Sequence, residues 1–158
     1  MKMLVLLMFL VSCATPKDQP EPWPSNSVTY SFGANFGGFE GISSGQAKEA
    51  FREAAKVWSN AGGLELVEAN KGQIVIVKAD LVGRVAGRAH YPANGGQIRM
   101  DSSRLWTVKL FCKVAMHEFG HAIGLAHADS KSSIMYYKTG KVSKPSRYDL
   151  ERLRRVYR

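Results

Sequence analysis

The residues best equipped for chemistry lie between positions 117 and 127, in the run His117-Glu118-Phe119-Gly120-His121-Ala122-Ile123-Gly124-Leu125-Ala126-His127. On a helix, side chains four residues apart stand one above the other on the same face. His117 and His121 therefore present two imidazole nitrogens to a single ion. Glu118, beside the first of them, points past that ion and reaches a water next to it. Gly124 can end the helix in a left-handed conformation and turn the chain sharply, which returns His127 as a third ligand. Three protein ligands leave the fourth position of a zinc ion for water, the arrangement of a catalytic rather than a structural site. Soft-ligand metals have no cysteine cluster to hold them, since the chain carries only Cys13 and Cys112. The plainer alternatives are solvent-facing histidines on a helix, or a closed structural zinc site.

Positioning these groups requires a folded scaffold, and 158 residues suffice for one domain with a core of its own. Val28–Phe32 reads as a strand, and the glycine-rich stretch from Asn35 to Gly45 as a loop. A helix capped by Ser43 or Ser44 follows, with apolar positions at Ala47, Ala50, Phe51, Ala54, Ala55, Val57 and Trp58. Strands are expected at Leu64–Ala69, Gln73–Ala79, Ala86–Tyr91 and Ile98–Asp101. A second helix is expected from Val108 to Ile123 and a third from about Ser146 to Tyr157, with Ser146 as its cap and Asp149 at its third position. Cys112 reads as a reduced, buried residue on the second helix.

With the third histidine in place, the run resembles the metzincin clan of zinc peptidases. Ser133-Ile134-Met135-Tyr136-Tyr137 resembles the clan's methionine turn, although Met135 alone could be an ordinary core residue. The short interval from His127 to Met135 is similar to the matrixin branch, the relatives of matrix metalloproteinase catalytic domains, and especially to small bacterial members. The resemblance extends from Val28 to Arg158. It implies an α+β, zincin-like fold with one twisted mixed sheet of about five strands and three helices, and an active-site cleft along an edge strand. It further implies a zinc endopeptidase acting on polypeptides, with Glu118 as general base and an extended substrate paired with the edge strand around Gly87 and Ala89. Lys113 falls where the family sets the floor of a side-chain pocket. A lysine there favours acidic or polar substrate side chains, unless its stem turns to solvent. Tyr137 either assists at the metal or walls the pocket. Of the family's structural-zinc histidines only His90 remains, with Arg99 in place of another. One zinc ion is therefore expected, calcium stays open, and latency through the family's cysteine-bearing inhibitory segment is not expected.

Residues 1–12 combine an early lysine with a nine-residue apolar run, too short to span a bilayer and suited to an export signal. Leu10-Val11-Ser12-Cys13 resembles a bacterial lipobox, which implies lipidation at Cys13; an ordinary secretory signal is the alternative. Residues 13–27 follow as a proline-rich tether, and 28–158 as the catalytic domain. The expectation is an exported monomer held on the cell envelope, at the outer membrane if the host has one. The net charge of +9 suits anionic surfaces or is a merely solvated face. No nucleic-acid motif accompanies it, so nucleic acid is not expected as a partner. Two rival functions remain: a peptidase of cell-wall cross-links, and a zinc-binding envelope lipoprotein without catalysis.

Overall fold

The computed structural model describes residues 20–83, 85–138 and 140–158. The segment read as an export signal and Cys13, read as its lipidation site, lie outside the described residues. In chain order the elements are β1 (Ser27–Phe32), α1 (Ser44–Ser59), β2 (Glu65–Glu68), β3 (Ile74–Ala79), β4 (Gly87–Ala89), β5 (Ile98–Asp101), α2 (Val108–Ala122) and α3 (Arg147–Val156). The strands form one five-stranded sheet in the order β2-β1-β3-β5-β4. All pairings are parallel except that of β4 with β5, which makes β4 an antiparallel edge. The fold is α+β, with a mixed sheet and three helices, as the family resemblance implied.

Helix α1 forms because its apolar residues recur at helical spacing and all face inward: Ala47, Ala50, Phe51, Ala54, Ala55 and Trp58 are buried. Ser43 is its cap, closed reciprocally with Gln46. That buried face sets the position of α2. Phe51 meets Phe111 and Phe119 with ring centroids 5.9 Å apart in both pairs. The Trp58 indole donates to the Met116 carbonyl at 3.0 Å, one residue before the first histidine of the motif. Truncating such a buried aromatic costs about 3–5 kcal/mol, so the register of α2 is strongly determined.

Three differences from the expected elements bear on the site. The edge strand is three residues long rather than six, because Tyr91-Pro92 opens a 3-10 turn and proline cannot donate to a ladder. The last helix, Arg147–Val156, is one residue shorter at each end than expected, while Ser146 is its cap and Asp149 its third residue as read from the sequence. Finally, part of the stretch read as a tether is docked. Trp23 donates through its indole to the Ala122 carbonyl at 2.9 Å, so the packed part of the chain begins before Val28.

Candidate metal centre and active site

Helix α2 begins at the cap Thr107, whose hydroxyl accepts from the Leu110 amide at 3.2 Å. Two of its histidines are oriented by carbonyl oxygens, His117 Nδ1 by Ile134 O and His121 Nδ1 by Leu125 O, both at 2.7 Å. A carbonyl can only accept, so each Nδ1 carries the proton and each Nε2 keeps a lone pair. Those lone pairs converge. His121 Nε2 lies 3.0 Å from His117 Nε2 and 3.1 Å from His127 Nε2, and ligand atoms of all three rings fall within 4.8 Å of one another. Two unprotonated nitrogens at such separations repel unless they share a cation. With zinc–nitrogen bonds of about 2.0–2.1 Å, a tetrahedral ion sets its ligands about 3.3 Å apart, so the donor set fits zinc. Burial, followed by the neighbouring His117 charge, pushes the His121 imidazole down to about 3, and burial also lowers His117. Both rings are thus held neutral, as ligation requires.

Gly124 performs the turn expected of it. Its φ of +98° lies in the left-handed region, and its amide donates to His121 O at 2.9 Å. Beyond the turn His127 is held through its neighbours. Arg152 Nη2 donates to Ala126 O at 2.9 Å, and the Ala128 amide donates to Met135 O at 2.9 Å.

Glu118 is 6% exposed. Burial raises its carboxyl to about 8, opposed by a hydrogen bond from the Ala89 amide and by the Arg88 charge. Gly87 lies directly against it: a Cβ on that residue would stand 2.8 Å from Glu118 Cγ and 2.7 Å from Val114 Cγ1. Along β4, Ala86 O and His90 N are turned to β5. By the alternation of an antiparallel ladder, the backbone groups of Gly87 and Ala89 face the open edge. Glu118, His117 and His127 line a cavity of about 480 Å³ with Gly87 on one wall, and Ala89 lines a smaller neighbouring one with His121.

The family profile described as Matrixin (peptidase M10) matches residues 22–158. This chain is a matrixin. It is 33% identical to the hatching enzyme of Paracentrotus lividus, over 72% of this chain and 22% of that protein. It is 31% identical to human matrix metalloproteinase-20, over 72% of this chain and 27% of that protein. With human matrix metalloproteinase-26 the identity is 29%, over 70% and 51%. The chain therefore spans about a fifth to a half of the length of these relatives.

In this matrixin the fully buried Met135 packs beside α2 between the first two ligands, where a methyl group on Gly120 would collide with its sulfur. The turn that carries it rests on Asp149, which is 0% exposed. The Asp149 carboxylate accepts from the Ser133 hydroxyl, the Ile134 amide at 3.1 Å, and the Ser146 amide at 2.8 Å and hydroxyl at 2.7 Å. Ser133 Oγ in turn accepts from the Met135 amide at 2.9 Å. Since Ile134 O orients His117, one carboxylate on α3 is linked through the turn to the first histidine of the cluster. The residues had marked Asp149 only as part of a cap; its second role had no signal in spacing. Lys113 lines the larger cavity and donates from Nζ to Gly140 O at 2.7 Å. Tyr137 lines it too, but is 57% exposed, with its ring 4.6 Å from that of Tyr136. Elsewhere Arg99 Nη2 approaches His90 Nε2 to 3.3 Å, so a guanidinium faces that imidazole. Cys112 is half-buried, and burial raises its thiol.

Proposed function

We propose that this chain is a zinc-dependent endopeptidase that hydrolyses peptide bonds in extended polypeptides, with His117, His121 and His127 holding one zinc ion and Glu118 acting as general base. The observation that carries the proposal is the convergence of three imidazole lone pairs on one point in an open cleft, with a buried carboxylate alongside. Zinc held there supplies Lewis acidity, which activates water and polarises a carbonyl oxygen. Glu118 takes the proton of the attacking water and delivers it to the leaving amine. Burial makes its carboxyl hold a proton more tightly than an exposed one, which suits delivery to the amine, while the positive charge of a bound zinc would favour the carboxylate that first takes the proton up. The outward carbonyls of Gly87 and Ala89 and the outward Gly87 amide give an extended peptide a strand to pair with, the Ala89 amide being taken by Glu118, while Gly87 keeps room for that carboxyl. The Asp149–Ser133–Ile134 chain holds the His117 ring to its tautomer and direction.

The test is Glu118→Gln. Peptide hydrolysis should fall by at least about a hundredfold, while elemental analysis still finds one zinc per chain. Hydrolysis within threefold of the parent would remove Glu118 from the mechanism. The reading of residues 1–12 and Cys13 adds that the enzyme is exported and lipid-anchored. Cys13→Ser should then release it from the membrane fraction, and an unchanged distribution would end that part of the proposal.

A further inference from the structure

The large cavity beside the metal centre has an uneven charge. Three lysines from separate segments line it: Lys113 from α2, Lys131 from the loop after His127, and Lys138 from the stretch after the methionine turn. Glu118, at the reacting end, is the one acidic residue among its lining residues. Lys113 stands one helical turn before His117 on the same face. Its ammonium crosses to the Gly140 carbonyl at 2.7 Å, so its stem spans the pocket from helix to loop. The walls nearby are apolar, with Val114 and Ile134 buried and Val142 partly so. An ammonium carries three donors, and a carbonyl satisfies one of them without neutralising the charge.

A substrate side chain entering this space displaces water from Lys113. An aliphatic side chain leaves the ammonium dehydrated with no counter-charge, which is costly. A cationic side chain adds repulsion from all three lysines. A glutamate instead sets its methylenes against the valines and its carboxylate on the free ammonium donors, a charge-assisted pairing. Resting on the peptidase reading above, we propose that this cavity selects an acidic substrate side chain, glutamate above all, next to the scissile bond, and that Lys113 is the residue that sets the preference. Lys131 and Lys138 are exposed, so solvent and salt screen them, and their contribution is smaller and weakens with ionic strength.

The experiment compares otherwise identical peptides carrying Glu, Gln, Leu or Lys at each position flanking the cut, using the zinc-loaded protein. At low salt kcat/KM should favour Glu over Gln by at least tenfold and over Lys by at least a hundredfold, and half-molar salt should narrow both gaps. Lys113→Met should lower the Glu-to-Gln ratio at least fivefold, and Lys113→Glu should invert the order of the Glu and Lys peptides. Because Lys113 spans the pocket, its variants can disturb folding. The paired exposed changes Lys131→Gln and Lys138→Gln give an independent reading, with a two- to threefold fall in the same ratio. A parent enzyme that cuts the Gln or Leu peptides as well as the Glu peptide overturns the acidic preference and leaves the peptidase reading intact. Failure to cut any peptide overturns the peptidase reading itself. A Glu preference untouched by both sets of variants would remove the lysines as its cause.

Discussion

His121 and His127 reach the same point from opposite sides of Gly124, yet the protein holds them by different means. His121 is 7% exposed, sits on a helix packed against α1, and has its ring N–H tied to Leu125 O at 2.7 Å. His127 is exposed and is placed through the backbone of Ala126 and Ala128, which Arg152 and Met135 pin from either side. One ligand is thus aimed through its own ring and the other through the path of the chain. On the proposed metal centre, the helix-side histidine should contribute to stability without metal and the loop-side one chiefly through the metal.

That contrast makes the largest expected effects separable. Structural zinc sites with four ligands bind with about 10–16 kcal/mol, so losing one ligand should weaken zinc binding by roughly a hundred- to a thousandfold in both His121→Ala and His127→Ala, measured by chelator competition. The two should differ in the metal-free state. His121→Ala leaves the Leu125 carbonyl buried without its donor and should lower unfolding free energy by about 1–3 kcal/mol, whereas His127→Ala should stay within about 0.5 kcal/mol. Equal losses in urea unfolding would break the comparison.

Next in size is Asp149→Ala, which strips acceptors from Ser133, Ile134 and Ser146 in a fully buried place. We expect a stability loss of about 3 kcal/mol or more and a zinc affinity reduced about 10- to 100-fold through His117. Retained affinity at full folding would show that the methionine turn holds itself.

The pH response comes third. In metal-free protein His121 protonates near 3 when folded and near 6.5 when unfolded. The stability linked to its neutrality is therefore present above about 6.5 and declines as pH falls toward the folded value, by about 1 kcal/mol per pH unit. Glu118 acts with the opposite sign. Its folded value of about 8 lies above its ordinary 4.5, so its contribution is full below 4.5 and is lost as pH rises through 8. Urea midpoints should therefore sag on both sides in the parent, while Glu118→Gln should remove the alkaline decline and keep the acidic one. A decline on the alkaline side that survives the substitution would assign it elsewhere.

The smallest effect is expected at Tyr137→Phe. The residue is 57% exposed and leans on Tyr136, so kcat/KM should change by less than about threefold. A loss beyond tenfold would give the hydroxyl a direct part in the reaction.

What could be read beforehand follows the same divide. Side chains aimed by helix period were legible: His117, Glu118 and His121 fall on one face, and Gly124 announces the turn. The groups that complete the centre were not, because the Ile134 and Leu125 carbonyls are backbone acceptors that every residue offers. Asp149 was visible as a cap since its partner Ser146 is three residues away, but its link to Ser133 and Ile134 joins segments that only the fold brings together. Lys113 could be assigned to the pocket only through the family resemblance, and its partner Gly140 not at all. Trp23 was hidden by its prolines, which suggest an extended tether and do not reveal that one large ring finds a seat on Ala122.

The dependence of the methionine turn on a carboxylate from the closing helix has a consequence for biogenesis. During synthesis all three clustered histidines leave the ribosome before Asp149 does. The scaffold beneath the first of them is incomplete until that helix docks, so the carbonyl that orients His117 is fixed only after the last helix has been made and folded onto the turn.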